Sequence, residues 1–424
     1  MEIVVNPARE QWEDLCRRNI PADDLSVDSS VREIIEDVAK RGDAALKEYS
    51  SRFDGCALDS IVMDAAEIDR VAAKVAPEIA DAIRKAADNI TVFHKAQLMQ
   101  PIEVETTPGV RCLQRQVPIQ NIGLYIPGGR APLFSTVLML GIPAKIAGCP
   151  HVALCTPRSK GNGIAPEIIF AAKLCGIETI YQIGGAQAIA AMAYSTESVH
   201  RVDKIFGPGN RYVTKAKQMV SNVVAIDMPA GPSEVMVMAD SSAYPEYIAA
   251  DLLSQAEHGP DSQSMLITDS INIAEDVEKA VVCQSKKLTR TEWIEESMAE
   301  SRIIIFPERE TMVDFANTYA SEHLIIAMNN PWEIANAITS AGSIFIGNYS
   351  CESAGDYASG TNHTLPTSAW ARAFSGVNID SFMKKITYQE LTREGLDALA
   401  STIITMAEAE GLDAHAAAVK VRMN

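Results

Sequence analysis

The chain has 424 residues, 47% hydrophobic and 22% charged, with 37 Lys and Arg against 55 Asp and Glu and a formal net charge of −18. That supplies ample apolar surface for a large core, and at roughly 100–200 residues per domain it predicts two to four domains. The acidic balance speaks against nucleic acid or an anionic membrane as a partner, because both need clustered Lys and Arg, and no apolar run of about 18 residues is present to span a bilayer.

Residues 1–20 read as a short helical arm ending near Pro21. Met1–Pro7 lacks the basic and apolar regions of a signal peptide and is followed by Glu10, Glu13 and Asp14, so a cytoplasmic protein is expected. From Ser29 to about Gln97 the pattern is helical. Ser29-Ser30 precedes Val31, Ile34, Ile35 and Val38 as an N-cap would, and Pro77 divides the later run Ala65–Gln97 into two helices. Ile102–Thr106 then alternates with period two, and Val110–Leu113 follows a Pro108-Gly109 turn, which predicts a hairpin.

Beyond the hairpin, apolar strands alternate with helices such as Phe134–Ala147 and Pro166–Leu174. Candidate strands are Ile122–Ile126, Val152–Thr156, Thr179–Ile183 and Lys204–Phe206. A second set follows at Glu234–Ala239, Ser264–Thr268, Arg302–Phe306, Leu324–Met328 and Ser343–Ile346. Continuous apolar strands between helices indicate parallel sheets covered on both faces. The expected fold class is therefore α/β, with two Rossmann-like doubly wound lobes, a short N-terminal arm and a helical tail from about Phe374. Eight Cys without a C-x-x-C pair read as reduced core thiols.

The dinucleotide fingerprint G-x-G-x-x-G is absent. Glycine clusters nonetheless stand at expected strand ends: Pro127-Gly128-Gly129, Gly184-Gly185-Ala186-Gln187, Gly207-Pro208-Gly209-Asn210 and Ala230-Gly231-Pro232-Ser233. Each could simply close a loop, with Asn210 an ordinary N-cap. Four at successive strand ends favour a shared ligand crevice, since open α/β sheets bind ligands outside the carboxyl ends of their strands.

His94, His151 and His200 lack polar company and read as structural. Gln255 and His258 lie one turn apart near a helix end, on one face. Histidine is a common metal ligand and Gln a rare one, so chemistry alone would choose Glu257 as its companion; a terminal His favoured by the helix dipole is the plainer alternative. Glu322-His323 joins a carboxylate to an imidazole where a helix hands over to a strand, as a proton-handling pair would. Gly355–Pro366 is a polar, glycine-punctuated loop with Asp356 and His363 seven apart, the kind that serves a ligand. Glu410 and His415 precede the last helix.

Together these segments, from about Gly42 to Arg422, resemble the histidinol dehydrogenase family. Agreement is densest in Gly123–Val137, Gly184–Ile189, Val202–Asn210, Asp227–Val235, Asp251–Ser262, Ser321–Ile325, Ser353–Pro366 and Gly411–Arg422. The resemblance implies two successive NAD-linked oxidations at one site, taking L-histidinol through L-histidinal to L-histidine. It implies one zinc per subunit on Gln255, His258, Asp356 and His415, so it is the resemblance that selects Gln255 over Glu257. It makes Glu322 and His323 the proton-transfer residues. Substrate contacts fall to Ser233, His363 and Glu410 beside the metal ligands and His323, and NAD contacts to Tyr125, Gln187 and Asn210. It further implies a homodimer in which His415 reaches the other subunit's site.

The domain division expected on this basis is an arm (1–21), a discontinuous lobe (22–123 with 235–373) carrying most zinc ligands, an NAD-binding lobe (124–234) and a C-terminal helical domain (374–424) reaching the partner. No Cys lies in the matched site motifs, which disfavours a thiohemiacetal route. Rival readings are a related zinc/NAD dehydrogenase for another polar alcohol such as a sulfonated diol, a zinc hydrolase, and a non-catalytic two-lobed metabolite-binding protein.

Overall fold

The computed structural model describes residues 1–18, 25–128, 132–159, 163–228 and 231–423. Its strands in chain order are β1 (Glu2–Val5), β2 (Ile102–Thr107), β3 (Val110–Pro118), β4 (Asn121–Tyr125), β5 (His151–Cys155), β6 (Thr179–Tyr181), β7 (Lys204–Phe206), β8 (Ala225–Ile226), β9 (Glu234–Ala239), β10 (Gln263–Thr268), β11 (Arg302–Ile305), β12 (His323–Ala327), β13 (Ser343–Ile346) and β14 (Met383–Leu391). One parallel sheet has the order β6-β5-β4-β7-β8 and a second the order β1-β11-β10-β9-β12-β13. Leaving β1 aside, both follow one path. The chain lays two strands outward on one side of the founding strand, then returns to lay two on the other. The doubly wound expectation holds, with switch points at β4/β7 and β9/β12. Strands β9, β10 and β12 are buried along their whole length, as continuous apolar runs in parallel sheets must be.

Residues 25–95 were expected to side with the 235–373 lobe, but they clothe the first sheet. Helices Leu25–Arg41 and Asp43–Tyr49 pack on Gly185–Tyr194 and Arg211–Val220 through Val31, Leu46, Ile189 and Val213. Helices Ala65–Ala72 and Pro77–Lys95, split at Pro77 as predicted, pack on Pro166–Cys175 and Phe134–Ala147 around Ile90, Leu138 and Ile169. Each such fully buried aliphatic side chain contributes about 1.5–3 kcal/mol, and these apolar stripes enter the two core clusters that cover the first sheet.

Besides the two-residue strand β8, which the expected set lacks, three elements depart from expectation. The arm opens as a strand: β1 pairs in parallel with β11, Ile3 opposite Ile303 and Val4 opposite Ile304, because its β-branched run suits a sheet edge better than a helix. The helix expected from Ser29 begins at Leu25, and the Ser29 and Ser30 hydroxyls donate back to the Ser26 carbonyl at 3.1 and 2.7 Å. The C-terminal region is not wholly helical either, since β14 joins the β2–β3 hairpin to make a three-stranded antiparallel sheet. Helices Arg393–Ala409 and Asp413–Met423 follow it. Of the eight Cys, only Cys155 and Cys175 are buried, while Cys283 and Cys351 are exposed; all are free thiols. No helix among the described residues is long and apolar enough to cross a membrane.

Candidate active site

At the first sheet the predicted residues gather on the carboxyl edge. Tyr125 ends β4, and its hydroxyl accepts the Gly185 N–H at 3.1 Å. Gly184–Gln187 opens the helix that follows β6, and Gly207–Asn210 leads β7 into the helix Arg211–Val220. Gly207 has φ +126°, and a Cβ there would collide with the Tyr125 carbonyl, so glycine is what lets the two loops close at the β4/β7 switch. Gln187 is buried with its Nε2 unpartnered. Asn210 caps its helix, accepting the Tyr212 and Val213 N–H groups at 3.1 and 3.2 Å. Gly129 and Ala230 lie outside the described residues. The fourth cluster was expected at a carboxyl end; it follows β8 but runs straight into β9, which puts Ser233 at the amino end of a strand in the second sheet.

The second sheet gathers further predicted side chains on that amino edge. Residues 233–234 and 322–323 stand side by side there, with Val235 opposite His323. The Glu234 N–H donates to the Glu322 carboxylate at 3.0 Å. His323 is buried among three carboxylates: Nδ1 lies 3.8 Å from Glu322 and 3.7 Å from Glu352, and Nε2 lies 3.6 Å from Asp356. These separations exceed hydrogen-bond length, and neither ring nitrogen has a partner. Burial works against the charged imidazole, but Glu322, Glu352 and Asp356 together push its pKa up to about 10. Burial raises Glu322 to about 7 and Glu352 to about 8. Burial also opposes the Asp356 charge, yet His323 beside it holds that carboxyl below the ordinary range.

His258, Glu352 and Asp356 bring ligand-type atoms within 4.8 Å of one another. His258 is exposed to solvent over part of its surface, yet the protein packed around it lowers its pKa toward the neutral form that binds metals. Gln255, one turn earlier, is fully buried with both amide atoms unpartnered. Leaving such groups unsatisfied costs about 1–3 kcal/mol each. These donors, the open Glu352 oxygen and the paired acids fit a cation held between the helix end and the 352–357 turn.

His363 joins the two lobes. Its Nε2 lies 3.1 Å from the Thr136 hydroxyl, in the first turn of the helix after β4, and its Nδ1 lies 2.9 Å from the Asp356 carbonyl. Asn362 donates to the Met139 carbonyl at 2.6 Å and lies 3.3 Å from His94, so His94 is buried but not without polar company. Glu410 and His415 are exposed, at the end of one C-terminal helix and within the next. His415 is not part of the His258 group.

Sequence reasoning missed Glu352, Asp251 and Glu234. Glu352 and Asp356 stand four apart on the short helix Glu352–Tyr357, a same-face spacing that could have flagged them. Asp251 precedes Gln255 by the same interval, and burial raises its pKa to about 7. Exposed Cys351 caps the helix that carries Glu352 and Asp356.

A family model described as histidinol dehydrogenase matches residues 17–423. The histidinol dehydrogenase of Vibrio parahaemolyticus is 52% identical over 419 residues, covering 98% of this chain and 96% of its own. That of Escherichia coli is 50% identical over 420 residues, covering 98% of this chain and 96% of its own. The crystal structure of histidinol dehydrogenase from Elizabethkingia anophelis superposes with a TM-score of 0.97 at 50% identity, covering 100% of this chain and 98% of that one.

Proposed function

The chain belongs to the histidinol dehydrogenase family, and from that premise we propose that it oxidises L-histidinol through L-histidinal to L-histidine with two NAD+, a step of histidine biosynthesis, at the amino edge of the second sheet. One observation carries the assignment of the site: a buried imidazole ringed by Glu322, Glu352 and Asp356 lies beside the His258–Glu352–Asp356 group.

Gln255, His258 and Asp356 would hold a zinc ion, with His415 of the partner subunit as the further ligand. The orphaned amide of Gln255 and the open side of His258 support this set. Zinc bound there supplies a fixed cation against which an imidazole-bearing amino alcohol can be oriented. His363 and Glu410 would orient the substrate further, and Ser233 would add a hydroxyl.

In its neutral form, which a cation drawing on Glu352 and Asp356 would favour by offsetting their charge, His323 takes the alcohol proton as hydride passes to the first NAD+, leaving the aldehyde. Glu322 accepts a proton from water as the water adds to the aldehyde carbon, and His323 gives its proton to the carbonyl oxygen, which yields the hydrate and restores the imidazole as a base. His323 acts again as hydride passes to the second NAD+ and the carboxylate forms. The carboxyl edge of the first sheet suits the dinucleotide, with Tyr125, Gln187 and Asn210 around two helix N-termini whose positive dipole ends favour a pyrophosphate.

A homodimer would bring Glu410 and His415 to the neighbouring site. Two features support it: both residues stand exposed on the C-terminal helices, and the small sheet leaves Ile102, Val104 and Tyr388 exposed, 41–50% each. The decisive assay incubates purified protein with zinc, L-histidinol and NAD+ and counts NADH per substrate consumed. Two per histidinol is expected. One would reduce the enzyme to a simple alcohol dehydrogenase, and none would refute the reading.

A further inference from the structure

Behind the Glu322–His323 pair lies a buried charge that the oxidation does not use. Arg18 and Glu234 are 10% and 1% exposed in their side chains and joined through two guanidinium nitrogens, Nε and Nη2. Nε donates to Oε2 at 2.7 Å and Nη2 to Oε1 at 3.2 Å. Arg18 also donates to the Cys16 carbonyl at 2.9 Å and the Tyr319 carbonyl at 2.6 Å. Its guanidinium lies 3.6 Å from the centre of the Tyr319 ring, whose hydroxyl donates to Gln263 at 2.6 Å. Ser368, in the left-handed region at φ +54°, gives its N–H to Glu234 at 2.9 Å.

Such a pair is costly to bury and adds little net stability over an apolar substitute. Its value lies in what it holds still. Glu234 spends its backbone N–H on Glu322, and Ser233 is its neighbour in the chain. Tyr319 ends the helix that turns, at φ +55° in Ala320, toward Ser321 and Glu322. Arg18 thus grips both sides of Glu322: the start of β9, whose amide orients the carboxylate, and the segment that delivers the residue into β12.

We propose that Arg18 is a positioning residue for the oxidation, a clasp from the N-terminal arm that fixes the Glu322 carboxylate through Glu234 and the Tyr319 carbonyl. It rests on the role given to Glu322 above. The planar fork matters here, because one guanidinium satisfies four acceptor sites at once, and an ammonium of equal charge cannot reproduce that arrangement.

The test is a double-mutant cycle in the purified full-length enzyme: wild type, Arg18→Lys, Glu322→Gln and the pair together, assayed for kcat and KM with L-histidinol and NAD+. Zinc content and melting temperature are read on the same preparations. Arg18→Lys is expected to lower kcat about tenfold, leaving KM for NAD+ and zinc content unchanged. Added to Glu322→Gln, it should lower kcat no further. Full kcat in Arg18→Lys, or an equal loss in both backgrounds, overturns the proposal. If Arg18→Lys does not fold, Glu234→Gln replaces it in the same cycle with the same expected outcomes. If Glu322→Gln alone keeps full turnover, the role of Glu322 fails and this inference falls with it, a result distinguishable from an additive cycle built on a crippled Glu322→Gln.

Discussion

The two parallel sheets share one strand order and use opposite edges. At the β4/β7 switch of the first sheet, the carboxyl edge carries the glycine loops and helix N-termini. At the equivalent β9/β12 switch of the second, the carboxyl edge is closed. Asp240, just past β9, accepts the Asn329 N–H at 2.9 Å just past β12, the Ser242 N–H at 2.9 Å and hydroxyl at 2.5 Å, and an Arg309 branch at 2.8 Å. The carboxylates and imidazoles collect instead at the amino edge. The topology provides a crevice at each switch point, but the side chains decide whether it stays open, and an acid with enough donors can seal one. After β8 of the first sheet the next strand is β9 of the second, so the chain passes there from the carboxyl edge of one sheet to the amino edge of the other; in the function proposed above, that gives a cofactor surface and a proton-handling surface a common substrate.

The contrast can be broken most severely at the amino edge. His258→Asn should lose zinc and turnover together, and a zinc-replete, active variant would refute the ligand assignment. Mixed with His415→Asn, it should recover about a quarter of wild-type activity, because random dimers regain one intact site in half of their pairs; no recovery would place His415 in its own subunit's site. His323→Asn should cut turnover by roughly 10²–10⁴ with metal content kept, the expected loss of a general base. Metal loss in step with activity would make it a ligand instead.

At the sealed carboxyl edge, Asp240→Asn should leave kcat intact and cost on the order of 2 kcal/mol of stability, read as a lower melting temperature. Burial opposes the Asp240 charge, but its donors and Arg309 outweigh that and hold the carboxyl below its ordinary 3.8. Its contribution is therefore present above that value and lost as pH falls through the depressed one. An acid unfolding curve unchanged by the substitution would contradict this. At the open carboxyl edge, Asn210→Ala should cost about 1 kcal/mol through the lost helix cap and raise KM for NAD+ but not for histidinol. Equal rises in both would remove Asn210 from the cofactor surface.

The apolar strands of both sheets, apart from β1 and the two-residue edge strand β8, were legible to within one or two residues, because burial on both faces leaves an uninterrupted hydrophobic signature. β14 was not, since Lys384, Lys385, Gln389 and Glu390 share it with exposed Ile386 and Tyr388 and no core face imposes a pattern. β1 was too short to outweigh the helical signal after Pro7. Within the site, His258, His323, Asp356 and His363 announced themselves as histidines or as part of an odd loop. Glu352 and Glu234 did not, because a lone carboxylate is ordinarily a solvated surface group and only the fold reveals that these two are buried. The opposite use of the two edges was equally hidden, since alternating strands and helices do not say which end of a strand a ligand meets.

The parallel partner of β1 emerges from the ribosome roughly 300 residues after it, and the Arg18 grip on Glu234 closes over a separation of 216. Contacts so distant along the chain form late. The first lobe can condense while the second is still being translated, but the leading segment must wait for β9 and β11 before it docks. Assembly of the fold would thus end where synthesis began, and competence of the Glu322 side of the active site would follow the seating of the chain's own beginning.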